Sequence, residues 1–223
     1  IFETKVGFGL QKMVTKFNDE LINLYKDNSS VFIYDLNQFI LKFGEKNVFD
    51  YKQFFLGDIK ISTNYIPSLA NELMGYVKAN LGLNKKCIVL DLDNTLWGGI
   101  VGEDGYNGIK LGETPSGKAF VEFQKILLSL NQRGIILAVN SKNNIDDAIK
   151  VIRNHPNMIL REENFACMKI NWNDKSSNMQ EISKELNIGL ESMVFFDDDP
   201  VNRELIRSTI PQVFTPEIPK DPS

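Results

Sequence analysis

Residues 87–99 read Cys87-Ile88-Val89-Leu90-Asp91-Leu92-Asp93-Asn94-Thr95-Leu96-Trp97-Gly98-Gly99. The first four are a continuous apolar run, the pattern of a strand covered on both faces. The run stops on Asp91, so a carboxylate is expected at the carboxyl end of a buried strand. Downstream, Ser116 can cap a helix carrying Phe120, Phe123, Leu127 and Leu130, with Gly134 just past its end. A strand over Ile135 to Val139 follows and ends in Asn140-Ser141. Then come a short helix from Asp146 to Ile152, a short strand at Met158-Ile159-Leu160 and a helix from Ser176 to Leu186. Met193-Val194-Phe195-Phe196 is the next strand, and it runs into Asp197-Asp198-Asp199. Alternating units of this kind predict an α/β domain with a parallel sheet between helices.

Six of the fifteen glycines fall between Gly98 and Gly112, interleaved with Ile100, Val101, Ile109 and Leu111. That composition suits a tight β-hairpin flap. No insertion large enough for a cap domain follows it or Ser141, so an open site is expected.

Upstream of Lys85 the pattern changes, and residues 1–84 read as a separate, smaller helical and α/β segment preceding a domain over 85–223. Leu10, Val14, Phe17, Leu21 and Leu24 form an amphipathic stripe. Asp27-Asn28-Ser29-Ser30 breaks it, and Val31-Phe32-Ile33-Tyr34 is a strand candidate leading into Asp35. A helix through Leu36, Phe39, Ile40 and Phe43 is stopped by Gly44. A lone strand cannot satisfy its own ladder groups. It either joins the main sheet or ends a domain whose earlier part lies elsewhere. Another helix is expected from Ser68 to Leu81. Because the chain opens at Ile1 in mid-pattern, it reads as a fragment of a larger protein.

With 223 residues, 43% of them hydrophobic, the chain has enough apolar mass for a core without disulfides or structural metal. Cys87 and Cys167 lack metal-ligand spacing, and no apolar signal segment is present, which points to a cytoplasmic, reducing setting. The apolar runs are of strand length, so no membrane span is expected. A net charge of −4 with dispersed lysines argues against nucleic acid as a partner.

Three expected strands thus end in Asp91, Ser141 and Asp197 to Asp199. The carboxyl ends of parallel strands share one edge, where ligands bind, so these groups converge. Several carboxylates so close repel one another unless a cation sits among them or some are protonated. A hard divalent ion resolves this, and Mg²⁺ suits an oxygen-only site.

Asp91-Leu92-Asp93-Asn94-Thr95 closely resembles motif one of the haloacid dehalogenase superfamily, and motifs two to four find counterparts in order at Ser141, Lys175 and Asp197-Asp198. The resemblance implies a Rossmann-like, capless fold with a small flap. It makes Asp91 the nucleophile that forms an aspartyl-phosphate. Asp93 becomes the general acid and base, with its backbone carbonyl on the metal. Ser141 binds phosphate, Lys175 binds nucleophile and phosphate, and Thr95 braces the loop. Asp198 ligates the metal directly, with Asp197 supporting. Lys142 and Lys169 compete with Lys175 for the cationic role. Asn94, Trp97 and Lys142 join Thr95 and Ser141 as candidate substrate or phosphate contacts. His155, before Pro156, is read as structural.

A closer resemblance covers Lys85 to Pro222. Residues 87–99, Ser141-Lys142-Asn143, His155-Pro156, Asn171-Trp172 and Phe196-Asp197-Asp198 are similar to the FkbH-like branch of that superfamily. Asp35 to Phe43 resembles the tail of the hydrolase-like domain that precedes the core in such proteins. Members of the branch move a glyceryl unit from 1,3-bisphosphoglycerate onto an acyl carrier protein and remove phosphate. The expected partners are therefore a phosphorylated small molecule and an acyl carrier protein. Glyceryl-transferring members carry a cysteine directly before the motif-two serine, where this chain has Asn140. A plain phosphomonoesterase and a catalytically silent carrier- or partner-binding module are the alternatives.

Overall fold

Strand β1, Cys87–Leu90, buries all four of its side chains, as its unbroken apolar run requires. The computed structural model describes residues 9–219 and divides into two units, Ile1–Leu81 and Gly82–Ser223. In the second unit β1 is joined by β2 (Ile136–Ser141), β3 (Phe165–Ile170) and β4 (Met193–Phe196). Their spatial order is β3-β2-β1-β4, and every neighbouring pair is parallel. The chain leaves β1 for β2 and β3 on one side and returns to β4 on the other. The topological switch point of the sheet therefore lies at β1.

Successive strand residues face opposite layers, and two cores result. Ile88, Leu90, Leu137 and Val139 pack with Phe120 and Leu127 of the helix Pro115–Gln132 and with Val151 and Ile152 of the helix Ile145–Asn154. Cys87, Val89, Ala138 and Phe195 pack with Met179 and Ile182 of the helix Lys175–Leu186 and Ile206 of the helix Pro200–Thr209. Register then sets the functional edge. Leu90 is level with Val139 and with Phe196, and the Asp91 N–H continues the ladder to the Phe196 carbonyl at 2.9 Å. Asp91, Asn140 and Asp197 are therefore level at this edge, with β2 running one residue further to Ser141.

Several local expectations are corrected. Met158-Ile159-Leu160 is buried but is not a strand. Its backbone donors find another acceptor: the N–H groups of Ile159 and Leu160 both go to Oε1 of the buried Gln124, at 2.8 and 3.1 Å. The strand forms instead at Phe165–Ile170 and contains Cys167, so that thiol lies in the sheet. The helix expected to begin at Ser116 is capped by Thr114, whose side chain accepts from Gly117 N, with Pro115 opening the first turn. The glycine-rich flap is not a β-hairpin. One antiparallel bridge, Gly98 to Lys110, closes it with bonds of 3.0 and 2.7 Å, and a helical turn, Val101–Asp104, stands between. Side chains take the donors a second strand would have used: Ile100 N goes to Asp104 Oδ2 and Val101 N to Asp93 Oδ1.

In the N-terminal unit, helices occupy Leu10–Tyr25, Leu36–Phe43, Glu45–Val48, Tyr51–Gly57 and Ile66–Asn80. Asp35 caps the second by accepting from Asn37 N, and Gly44, at φ +85°, ends it. Val31–Tyr34 forms no strand: among the described residues no ladder or bridge includes it, and its neighbours are helical, with Tyr34 meeting Glu72 and Tyr76 of the helix Ile66–Asn80. The helix Leu10–Tyr25 leaves Leu10, Val14, Phe17 and Leu24 exposed. Among the described residues, no helix of either unit is long and apolar enough to cross a membrane.

Candidate active site

The rim of the sheet gathers opposite charges out of water. Asp91, Lys175 and Asp197 are 7%, 1% and 0% exposed. The Lys175 ammonium stands 3.1 Å from Asp91 Oδ1 and also pairs with Asp197 Oδ2. Lys175 reaches this point because it opens the helix Lys175–Leu186, whose cap is Asp174, accepting from Ser176 N and Ser177 N. Its own carbonyl is held by Asn140 Nδ2 at 2.9 Å, and Asn140 Oδ1 accepts from Asn178 Nδ2 at 3.1 Å. The residue before Ser141 is thus a buried scaffold for the cation. Of the competing lysines, Lys142 is exposed, and Lys169 pairs with Glu181 and Glu185 at 3.3 and 2.9 Å.

Burial sets the electrostatics. Asp91 is pushed up to about 6, chiefly by desolvation, with the Lys175 charge and a Ser141 hydrogen bond opposing and the Asp197 charge adding to it. Burial alone would lower Lys175, but the charges of Asp91 and Asp197 outweigh it and hold the ammonium above its ordinary range. Asp198, half-buried, is likewise raised by desolvation and then by Asp197.

Asp91, Asp197 and Asp198 each present a carboxylate oxygen, and these three atoms lie within 4.8 Å of one another. One ammonium cannot neutralise three carboxylates, and an all-oxygen donor set suits a hard divalent cation. The residues therefore fit such an ion. The Asp93 carboxylate is not part of this group. Its Oδ1 accepts from Trp97 Nε1 at 2.8 Å and Val101 N at 3.1 Å, and its Oδ2 from Asn143 Nδ2 at 2.8 Å. Its pKa is nevertheless raised, because desolvation outweighs these donors.

The expected substrate contacts divide. Ser141, 1% exposed, closes β2 beside Asp91. Thr95 is buried with its Oγ1 unpartnered. Asn94, at φ +53°, has its carboxamide oxygen committed to Gly99 N at 2.8 Å. Trp97 corrects the expectation: it is fully buried and spends its indole N–H on Asp93, which leaves no surface for a substrate. His155 accepts from Asn157 N at 3.3 Å and packs against Tyr106. The role of Asn143 went unread; the only signal was its place two residues past Ser141, where a buried carboxamide can reach the preceding strand's loop.

A family whose description is acid phosphatase matches residues 84–217 by its sequence model. The crystal structure of the N-terminal part of a Bacteroides fragilis protein, containing a phosphatase domain complexed with Mg, aligns with a TM-score of 0.90 and 40% identity. The alignment covers 98% of this chain and 58% of that one, so this chain spans little more than half the length of that relative. A haloacid dehalogenase family enzyme from Bacteroides thetaiotaomicron, in complex with magnesium and inorganic phosphate, aligns over 62% of this chain and 96% of its own, with 14% identity and a TM-score of 0.43. No curated protein matches.

Proposed function

Since this chain belongs to the acid phosphatase family, we propose that it is a haloacid dehalogenase-type phosphatase that hydrolyses phosphate monoesters with Mg²⁺ through an aspartyl-phosphate on Asp91. The observation that carries this reading is the buried group of Asp91, Lys175 and Asp197, with Asp198 close enough to share an ion. An Asp91 oxygen attacks phosphorus as the bond to the leaving alcohol breaks, and Asp93 supplies the proton that the alcohol takes. Asp93 then accepts a proton from water as that water attacks the aspartyl-phosphate, and inorganic phosphate leaves with Asp91 restored. Lys175 holds the nucleophile in place and offsets phosphoryl charge, with Ser141 and Thr95 as hydroxyl contacts. Magnesium, when bound by Asp91, Asp198 and the Asp93 carbonyl with Asp197 in support, screens the repulsion between Asp91 and the phosphoryl oxygens. The relative from Bacteroides fragilis, complexed with Mg, supports that choice of ion.

The finer reading is that the phosphate belongs to a phosphoglyceryl unit bound for an acyl carrier protein, and the FkbH-like resemblance of residues 85–222 supports it. This chain's part would then be phosphate removal rather than acyl holding. A carboxamide carries no acyl group, and that of Asn140 is engaged with Lys175 and Asn178. Cys87 and Cys167 are buried, and burial pushes their thiols up to about 12 and about 11, so neither is an available thiolate. Residues 1–84 are read as part of a larger hydrolase-like domain, which the exposed apolar residues of Leu10–Tyr25 and the unpaired Val31–Tyr34 support.

Asp91→Asn tests the central claim. Phosphate release from p-nitrophenyl phosphate with Mg²⁺ is expected to fall by on the order of 10⁴-fold or more. Beryllium fluoride with Mg²⁺ is expected to raise the unfolding midpoint of the wild type alone. Undiminished turnover by the variant ends the nucleophile assignment. Intact mass of a carrier protein already bearing a phosphoglyceryl unit separates the readings: loss of one phosphate from the carrier supports the finer one, and an unchanged mass alongside p-nitrophenyl phosphate turnover removes it.

A further inference from the structure

Arg203 lies in the first turn of the helix Pro200–Thr209 and is 6% exposed. Its Nη1 donates to the carbonyl oxygens of both Asp197 and Asp198, at 2.8 and 2.7 Å. One nitrogen therefore fixes two successive peptide units of the acidic loop. Its Nη2 donates to Glu217 at 3.0 Å, and Glu217 also accepts from Arg207. The loop is thereby tied to the segment that runs past Phe214, itself bridged to β4. The Arg203 Nε is buried with no partner. Burying a guanidinium and leaving one donor unmet is unfavourable for stability, so packing alone does not account for the residue.

We infer that Arg203 is a positioning residue that sets the affinity of the acidic rim for a divalent cation, by holding the backbone from which Asp197 and Asp198 project. The inference rests on the metal-binding reading above. Its sign separates it from simple electrostatics. A guanidinium near a divalent ion repels it, so if charge were all that mattered, removing Arg203 would tighten Mg²⁺ binding. If the side chain positions the loop, removing it weakens binding, because groups that hold metal ligands in place typically contribute about 10–100-fold to affinity.

The experiment follows the unfolding midpoint of the whole chain against MgCl₂ concentration, which gives the Mg²⁺ dissociation constant by linkage and needs no turnover. Arg203→Met is expected to require about tenfold more Mg²⁺, or more, than the wild type for the same half-response. If the wild-type midpoint ignores Mg²⁺, the metal reading itself fails. If the wild type responds and Arg203→Met responds at equal or lower Mg²⁺, this inference alone is overturned. Should Arg203→Met not fold, Arg203→Lys, which keeps the charge and loses the fork, is titrated in the same way. About tenfold weaker binding upholds the positioning role, and unchanged binding overturns it.

Discussion

The rim and the flap hold aspartates two residues apart by opposite physical means. At the rim, Asp91 is restrained by charge: a buried ammonium on one side and the Asp197 carboxylate beyond it. At the flap, Asp93 is restrained by neutral N–H donors from Trp97, Val101 and Asn143. The rim exposes almost nothing and gains from further positive charge. The flap residue already has three donors, and one of them belongs to a glycine-rich loop closed by a single bridge. The contrast teaches a division of labour. On the proposed mechanism, charge fixes the nucleophile, whereas directional hydrogen bonds orient the group that gives and takes the proton.

Removing the rim's cation is the strongest way to break this contrast. Lys175→Met leaves Asp91 and Asp197 buried without their counter-charge, and losing one partner of a buried pair costs about 3–5 kcal/mol. Thermal or denaturant unfolding in metal-free buffer is expected to show that loss, with part of it recovered as Mg²⁺ is added. Activity is expected to fall roughly 10²–10³-fold. A variant as stable as the wild type without metal would mean that the rim is not held by charge.

At the flap the expected effect is smaller and depends on the substrate. Asp93→Asn keeps the shape and removes the proton transfer, whose contribution is typically about 10²–10⁴-fold. An aryl phosphate with a good leaving group needs less help from an acid than an alkyl phosphate does. The ratio of variant to wild-type kcat/KM is therefore expected to be nearer to one for p-nitrophenyl phosphate than for an alkyl ester. Equal losses on both substrates would remove Asp93 from leaving-group protonation.

How much of this could be read from the residues follows from the same contrast. The rim residues sit at the ends of apolar runs: Asp91 after Leu90 and Asp197 after Phe196, and a buried strand ending in an acid shows in one dimension. The supporting groups do not show in that way. Asn140, Asn143 and Gln124 are neutral amides whose partners lie 28 to 50 residues away, and a single sequence does not distinguish them from turn residues. Gln124 also explains the misread strand, since its oxygen takes the donors of Ile159 and Leu160. The true strand, Phe165–Ile170, is an edge strand broken by Lys169, so its apolar signal is weak. The helix Pro200–Thr209 has a start signal in Asp199-Pro200, but Asp199 also continues the acidic run before it, which masks the cap. Val31–Tyr34 shows the converse: an apolar, β-branched segment whose neighbours are helical finds no strand to pair with and forms none itself.

The smallest expected effect isolates one hydrogen bond. Trp97→Phe keeps most of a fully buried ring and deletes the 2.8 Å bond from Nε1 to Asp93. A single such bond contributes about 0.5–1.5 kcal/mol net, so kcat is expected to drop about tenfold or less. The informative readout is pH. The Trp97 donor lowers the Asp93 pKa against the desolvation that raises it, so its loss lets that pKa rise further. On the proposed mechanism Asp93 must be protonated to act as an acid, and with Asp91 held ionised by bound Mg²⁺ the alkaline limb of the pH–rate profile marks the loss of that proton. The limb is therefore expected to move to higher pH in Trp97→Phe, while the acid limb, set by ionisation of the rim, stays where it is. A shift of the acid limb instead would mean that the indole acts through Asp91, and the separation between rim and flap would not hold.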